Sequence, residues 1–157
     1  MKEKLKFIVQ GAAIAAIYTV MSVIALFSVG PFQIRIAEAL TVLPWFVPSA
    51  IPGLAVGCLL SGLLTGCSVW DLIMGTLATL IGAYGTYLLR DRKWLAPIPP
   101  ILSNTIILPL VFSSVYGVGS YLYFLAVTGA GEILSCGVLG TVVTVILDKY
   151  KKISDKI

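Results

Sequence analysis

Histidine is absent from this chain of 157 residues, which removes the commonest general base and metal ligand. Charge is scarce as well. Only 11% of residues are charged, against about 25% in an ordinary globular domain. The three cysteines, Cys58, Cys67 and Cys136, are scattered through apolar sequence. That arrangement offers neither a disulfide framework nor a metal-ligand spacing. No GxxxxGK[ST], GxSxG, HExxH or CxxC motif occurs, so nothing marks a P-loop ATPase, a serine hydrolase or a zinc protease. No cofactor or metal is expected, and no enzymatic activity. The net charge of +4 does not read as a nucleic-acid footprint, because the basic residues form short clusters rather than a stripe with interleaved aromatics.

What is abundant is apolar sequence, at 59% of residues. Runs long enough to cross a bilayer, roughly 20 residues each, recur along the chain with little polar sequence between them. The expected fold is therefore all-α: one membrane domain, residues 1–157, built as a bundle of about six transmembrane helices. The run after Lys2, Lys4 and Lys6 is too long for the 7–15-residue apolar core of a signal peptide and is read as a retained first span.

The spans follow from the punctuation. The first runs from about Leu5 to Val29 and ends at Gly30-Pro31. A shorter apolar segment extends to Val47 with Pro44 inside it, and Pro48 and Pro52 mark a turn. A third span covers about Ile51 to Leu64 and a fourth Val69 to Leu89. After Arg90-Asp91-Arg92-Lys93, the prolines 97, 99 and 100 open a fifth. From Ile101 to Leu147 the single formal charge is Glu132, and the stretch is too long for one crossing, so a turn is expected near Gly117-Val118-Gly119-Ser120. Six spans put Lys2, Lys4, Lys6, Arg90, Arg92, Lys93, Lys149, Lys151, Lys152 and Lys156 on one side, ten of the eleven basic residues. By the positive-inside rule both termini are then cytoplasmic, in a multi-pass protein of the cell membrane.

Small residues recur at four-residue spacing. Gly11, Ala12, Ala15 and Ala16 do so on the first helix, Gly53, Gly57 and Ser61 on the third. Such faces allow close helix approach, within the bundle or against another membrane subunit. For the third helix internal packing is favoured; for the first, the residues leave both readings open.

Ionisable groups inside a membrane cost roughly 2.5–3.5 kcal/mol at the centre of a span and so need a partner or a task. Arg35 and Glu38, three apart, share a helical face, and Trp45 falls near it. That group reads either as an interfacial ion pair with an aromatic-belt residue or as part of a ligand site. Ser68-Val69-Trp70-Asp71 matches a capping box. Asp71, Gly75, Thr79, Gly82 and Thr86 form a small, polar stripe expected to face the interior. Asn104 lies a turn into the fifth span. Glu132, a lone carboxylate continued by Ser135 and Cys136 on its face, points to a ligand site or a proton relay. A site holding Glu38, Glu132 and Asn104 with aromatic rings suits a flat, hydrogen-bonding, cationic ligand: a carboxylate accepts two adjacent N–H donors, and ring faces attract a cation.

The run Gln33-Ile34-Arg35-Ile36-Ala37-Glu38-Ala39-Leu40-Thr41-Val42-Leu43-Pro44, followed by Pro48-Ser49-Ala50-Ile51-Pro52-Gly53-Leu54, resembles the QueT family. So do Ser103-Asn104 after the double proline and Gly131-Glu132 before Gly140. The resemblance extends from about Ala12 to Leu147. It implies a substrate-binding membrane subunit, or S-component, of an energy-coupling factor (ECF) transporter. The implied substrate is a queuosine precursor, a 7-deazaguanine bearing an aminomethyl group. Also implied are six helices, an outward-facing pocket, a transmembrane coupling subunit and two ATPase subunits as partners. The first helix is implied to carry an Ala-xxx-Ala contact face, matched by Ala12 and Ala16. Alternatives are an S-component for another ring-containing micronutrient, a stand-alone proton-coupled carrier using Glu132 and Asp71, or an assembly subunit without a ligand.

Overall fold

The computed structural model describes residues 1–26, 35–117 and 119–154. Val29, Gly30-Pro31, Gln33, Ile34, Val118 and Lys156, which figure in the expectations above, lie outside the described residues. The architecture is all-helical among them. Helix α1 spans Lys2–Leu26, followed by a 3-10 helix Ile36–Trp45, α2 Ala50–Thr65, α3 Val69–Leu88, α4 Ile98–Ser114, α5 Tyr121–Glu132 and α6 Gly140–Ser154. A π-helical segment, Ile133–Leu139, joins α5 to α6. Among the described residues three stretches are long and apolar enough to cross a membrane by themselves: Lys2–Ala25, Lys93–Ser114 and Tyr121–Tyr150.

The path of the chain follows from its glycine contacts. A Cβ on Gly53 would stand 2.6 Å from the Gly11 carbonyl oxygen, and one on Gly57 would stand 2.9 Å from that of Ala15. The Thr19 hydroxyl donates to the Gly57 carbonyl at 3.2 Å. Numbers rise together along both helices, so α1 and α2 run parallel. The chain between them must come back, and the 3-10 helix is the return. At its start Glu38 meets Tyr18; beyond its end the Ser49 hydroxyl donates to the Gln10 amide oxygen at 3.4 Å. Ten residues at about 2.0 Å each give a rise of roughly 20 Å, less than the ~30 Å of a hydrocarbon core. With this return as the second pass, and α5, the π segment and α6 as the last, the arrangement is compatible with six passes.

The consecutive helices α2, α3, α4 and α5 are antiparallel, each to the next. Gly66, with φ of 67°, ends α2 in the left-handed region, and Ser68 caps α3 by accepting from the Trp70 amide at 3.3 Å. Gly82 and Gly85 bring α3 onto the opening prolines of α4, where an added Cβ would meet Pro100 at 2.7 Å and Pro99 at 2.6 Å. The α4–α5 turn falls where the glycines placed it, with positive φ at Gly117 and Gly119. Lys93 pairs with Asp148 at 3.0 Å, tying the α3–α4 connection to the end of α6.

Leucine, isoleucine and valine face outward on most helices; Leu63, Leu64, Val69, Ile81, Leu102 and Val142 are all at least half exposed or close to it. In lipid this costs nothing, and the interior is left to small and polar residues. The stripe Gly75, Thr79, Gly82 and Thr86 is buried, as expected. The Ser68–Asp71 box is only half formed. Ser68 caps, but the Asp71 carboxylate accepts from the Tyr116 hydroxyl instead of reaching back. That bond pushes the Tyr116 hydroxyl above its ordinary pKa, since the carboxylate holds its proton in place.

Candidate functional site

The 3-10 geometry decides which residues accompany Glu38. With three residues per turn, i and i+3 eclipse, so Glu38, Thr41 and Pro44 share a face, and all three are buried. Pro44 lacks an N–H, which removes one α-helical bond from the segment. The Glu38 amide bonds back to the Arg35 carbonyl at 2.8 Å, an i to i−3 pairing. Arg35 and Glu38 therefore do lie together. Trp45 falls on a different face of the segment. An α-helical period puts it near the face of Glu38, whereas a period of three puts it with Ile36, Ala39 and Val42. Trp45 is half-buried, edge-on to Phe46 with ring centroids 4.6 Å apart.

Three other elements converge on Glu38. From α1, the Tyr18 hydroxyl donates to its Oε1 at 2.6 Å. From α4, the Asn104 amide donates to its Oε2 at 3.3 Å. The Arg35 guanidinium stands 3.7 Å from Glu38 Oε1 and 3.9 Å from Glu132 Oε1, so it bridges the two carboxylates at ion-pair range. From the π segment, the Cys136 thiol approaches Glu132 Oε2 at 3.2 Å and the Glu38 carbonyl at 3.3 Å. Thr41 donates to that same carbonyl at 2.6 Å. Tyr18, Glu38, Asn104, Glu132 and Cys136 are all essentially inaccessible, while the Arg35 side chain is 37% exposed. Arg35 is thus the member of the cluster that reaches solvent.

The two carboxylates are not equivalent. Glu38 has a donor on each oxygen. Among the described residues Glu132 Oε1 is buried and accepts no hydrogen bond, and the Arg35 guanidinium faces it at 3.9 Å. A buried, unmet acceptor costs about 1–3 kcal/mol, more when charged. Such an atom marks where a donor from outside would be most favourable. Glu132 also ends α5 where the helix changes to π geometry, a feature frequent at functional sites. The cluster lies deep: at 1.5 Å per residue, Asn104 is about 9 Å into α4 and Glu132 about 17 Å into α5. Asp71, at the opposite end of α3 from the α4 prolines, belongs to a separate contact with Tyr116.

Carboxylate oxygens of Glu38 and Glu132 and the Cys136 sulfur fall within 4.8 Å of one another, a grouping that scattered cysteines in the sequence did not announce. Arg35 bears on whether they suit a metal. Its guanidinium already faces both carboxylates, and a divalent ion there would meet that charge at short range.

Sequence reasoning singled out Arg35, Glu38, Asn104 and Glu132, and the structure brings these four together. It missed Tyr18 and Thr41. Tyr18 lies three residues after Ala15 and seven after Gly11 on the buried small-residue face of α1, and a polar tip on that face was the available signal. Ala12 and Ala16 are exposed, in contrast to Gly11 and Ala15, which pack on α2.

The QueT transporter family matches residues 8–149. The chain belongs to that family. QueT proteins are transporters rather than enzymes, and the apolar helices agree with a membrane protein. The chain is 34% identical over 94 residues to a protein of Lactococcus lactis subsp. cremoris (strain MG1363), described as "Queuosine precursor transporter QueT". That alignment takes in 58% of this chain and 55% of the relative, so the chain spans about half the length of the curated relative it matches. No solved structure matches it significantly.

Proposed function

We propose that this QueT-family chain is the substrate-binding membrane subunit of an ECF-type importer and binds a queuosine precursor, 7-aminomethyl-7-deazaguanine. The observation that carries the reading is the pair of buried carboxylates, one of which, Glu132, keeps an oxygen with no hydrogen bond. A deazaguanine edge presents adjacent N–H donors to a carboxylate, and an aminomethyl ammonium supplies a positive charge to the pair. Asn104, with both a donor and an acceptor, reads a further ring atom. The match to the family over residues 8–149, and the queuosine-precursor relative, support the ligand class.

Uptake in this reading is energised by partners: a transmembrane coupling subunit and two ATPase subunits. The exposed Ala12–Ala16 face of α1 is the docking surface for the coupling subunit, since small side chains let a partner helix approach closely. Both termini are cytoplasmic, on the side of the basic clusters. Isothermal titration calorimetry of the purified chain against 7-aminomethyl-7-deazaguanine, guanine and thiamine tests the reading. Saturable binding of the first, with guanine weaker and thiamine silent, is expected. Equal or stronger binding of thiamine, or no heat from the deazaguanine, overturns it.

A further inference from the structure

Arg35 holds an odd position for a residue that binds ligand. Among the described residues of the cluster its side chain is the partly exposed one, 37% against 1% for Glu38 and Glu132. It meets both carboxylates, yet at 3.7 and 3.9 Å neither contact is a hydrogen bond. It stands before the first residue of the 3-10 helix, and its side chain makes no capping bond there. The carboxylates are otherwise anchored by hydrogen bonds: Glu38 by Tyr18 on Oε1 and Asn104 on Oε2, Glu132 by Cys136 on Oε2. Their Oε1 atoms, the two that face Arg35, are the ones an incoming cation would reach.

We infer that Arg35 is a resident counter-ion, which occupies the cation position between Glu38 and Glu132 in the unliganded site and is displaced by the ammonium group of the ligand. The inference rests on the cationic ligand proposed above. Three physical points lead to it. Two buried carboxylates without a neighbouring cation are costly, so an empty site needs an internal charge. That charge is held by attraction alone, so exchange breaks no hydrogen bond on the Arg35 side. An ammonium at hydrogen-bond distance from Glu132 Oε1 and Glu38 Oε1 would lie within a few ångströms of the guanidinium, and like charges so placed repel strongly. The exposed partner is the one free to leave for water, where its hydration is recovered. Arg35 is thereby a specificity-determining residue. A neutral ring must leave it in place and forgo the Glu132 oxygen, while a cationic ring replaces it.

Arginine modification reads this directly on the unmodified full chain. Phenylglyoxal labelling of Arg35, followed by peptide mass spectrometry with Arg90 and Arg92 as internal references, is compared with and without saturating 7-aminomethyl-7-deazaguanine. Displacement predicts faster labelling of Arg35 when the compound is bound. Slower labelling means that the guanidinium contacts the ligand, and an unchanged rate means that it does not move; either overturns the proposal while leaving the ligand assignment intact. In parallel, Arg35→Gln is expected to bind the cationic compound about tenfold tighter, because a competing like charge is gone, with little change for guanine. Weaker binding of the cationic compound by an Arg35→Gln protein that retains its elution profile overturns the displacement. No calorimetric heat with the wild-type chain would overturn the ligand assignment and this role together.

Discussion

Tyr18 donates its hydroxyl to Glu38 Oε1 across 2.6 Å, joining the middle of α1 to the first turn of the 3-10 helix. The bond sits on the small-residue seam between α1 and α2. Gly57 of α2 lies so near that an added Cβ would be 2.9 Å from the Tyr18 Cβ and 2.9 Å from the Ala15 carbonyl oxygen. The small-residue seam that packs α1 on α2 therefore also sets the height at which a buried carboxylate is held. Packing and site are one arrangement here: α1 cannot shift along α2 without moving the donor away from Glu38.

Tyr18→Phe tests this coupling with the smallest change. The ring still fills its place, but one donor to a buried carboxylate is lost. Hydrogen bonds to charged groups contribute about 1.5–3 kcal/mol. The variant is expected to melt at lower temperature and to bind ligand more weakly, by about tenfold or more. Differential scanning fluorimetry in detergent, with calorimetry alongside, checks both. A wild-type melting temperature together with wild-type affinity would mean that Glu38 does not need this donor.

The two small faces of α1 predict opposite phenotypes. Ala12→Leu with Ala16→Leu enlarges an exposed face and is expected to leave folding and ligand affinity intact while abolishing uptake. Ala15→Leu enlarges the buried face and is expected to disrupt the α1–α2 seam itself, lowering expression and ligand binding together. Co-purification with the coupling and ATPase subunits, scored beside ligand binding, separates the two. Normal uptake by the double variant would move the docking surface elsewhere.

Why these outcomes could not be assigned from the sequence alone is visible on α1. The overlapping pairs Gly11–Ala15 and Ala12–Ala16 are chemically alike, and only the contact with Gly53 and Gly57 tells them apart. The helical class, the positions of the turns and the meeting of Arg35, Glu38, Asn104 and Glu132 were legible, because charge in an apolar chain is rare enough for each instance to stand out. Two things were not. The segment Ile36–Trp45 has apolar spacing that suits an α-helix, and nothing local announces ten residues of 3-10 geometry, so Trp45 was placed on the wrong face. The π segment after Glu132 is likewise a tertiary outcome; the side chains of Cys136 and Thr41 meet there across 95 positions of sequence.

Asp71 offers a control outside the cluster. Its carboxylate accepts from the exposed Tyr116 hydroxyl at the α3 start. Asp71→Asn is expected to leave ligand affinity within about twofold, as surface changes away from special features usually do. The same substitution relieves the pull that raises the Tyr116 hydroxyl, so phenolate formation there should move to lower pH in an ultraviolet titration against a Tyr116→Phe reference. A large affinity loss in Asp71→Asn would place the ligand near the α3 start, far from Glu132.

Glu132→Gln and Glu38→Gln together distinguish the two carboxylates. Glutamine keeps the size of the side chain and replaces one acceptor oxygen by a donor group. At Glu132 Oε1 is the atom left for the ligand, and among the described residues nothing hydrogen-bonds to it. Its loss should remove a charge-assisted bond to the ligand and lower affinity by about 10- to 150-fold. The fold itself should change little, since the Cys136 contact is weak and Arg35 retains Glu38. At Glu38 the consequence is different. Both oxygens already accept, from Tyr18 and from Asn104. An amide nitrogen there either meets the Asn104 donor or makes the Tyr18 hydroxyl turn to accept, and Arg35 loses its nearest opposite charge. Breaking a buried, paired charge in this way costs about 3–5 kcal/mol. Glu38→Gln is therefore expected to destabilise the protein measurably, with the affinity loss following from a disordered pocket. The discriminating measurement is the pair of melting temperatures and dissociation constants for each variant. Glu132→Gln should be an affinity defect at nearly constant stability, and Glu38→Gln a stability defect that carries affinity down with it. The reverse pattern would make Glu38 the ligand's carboxylate and Glu132 the structural one.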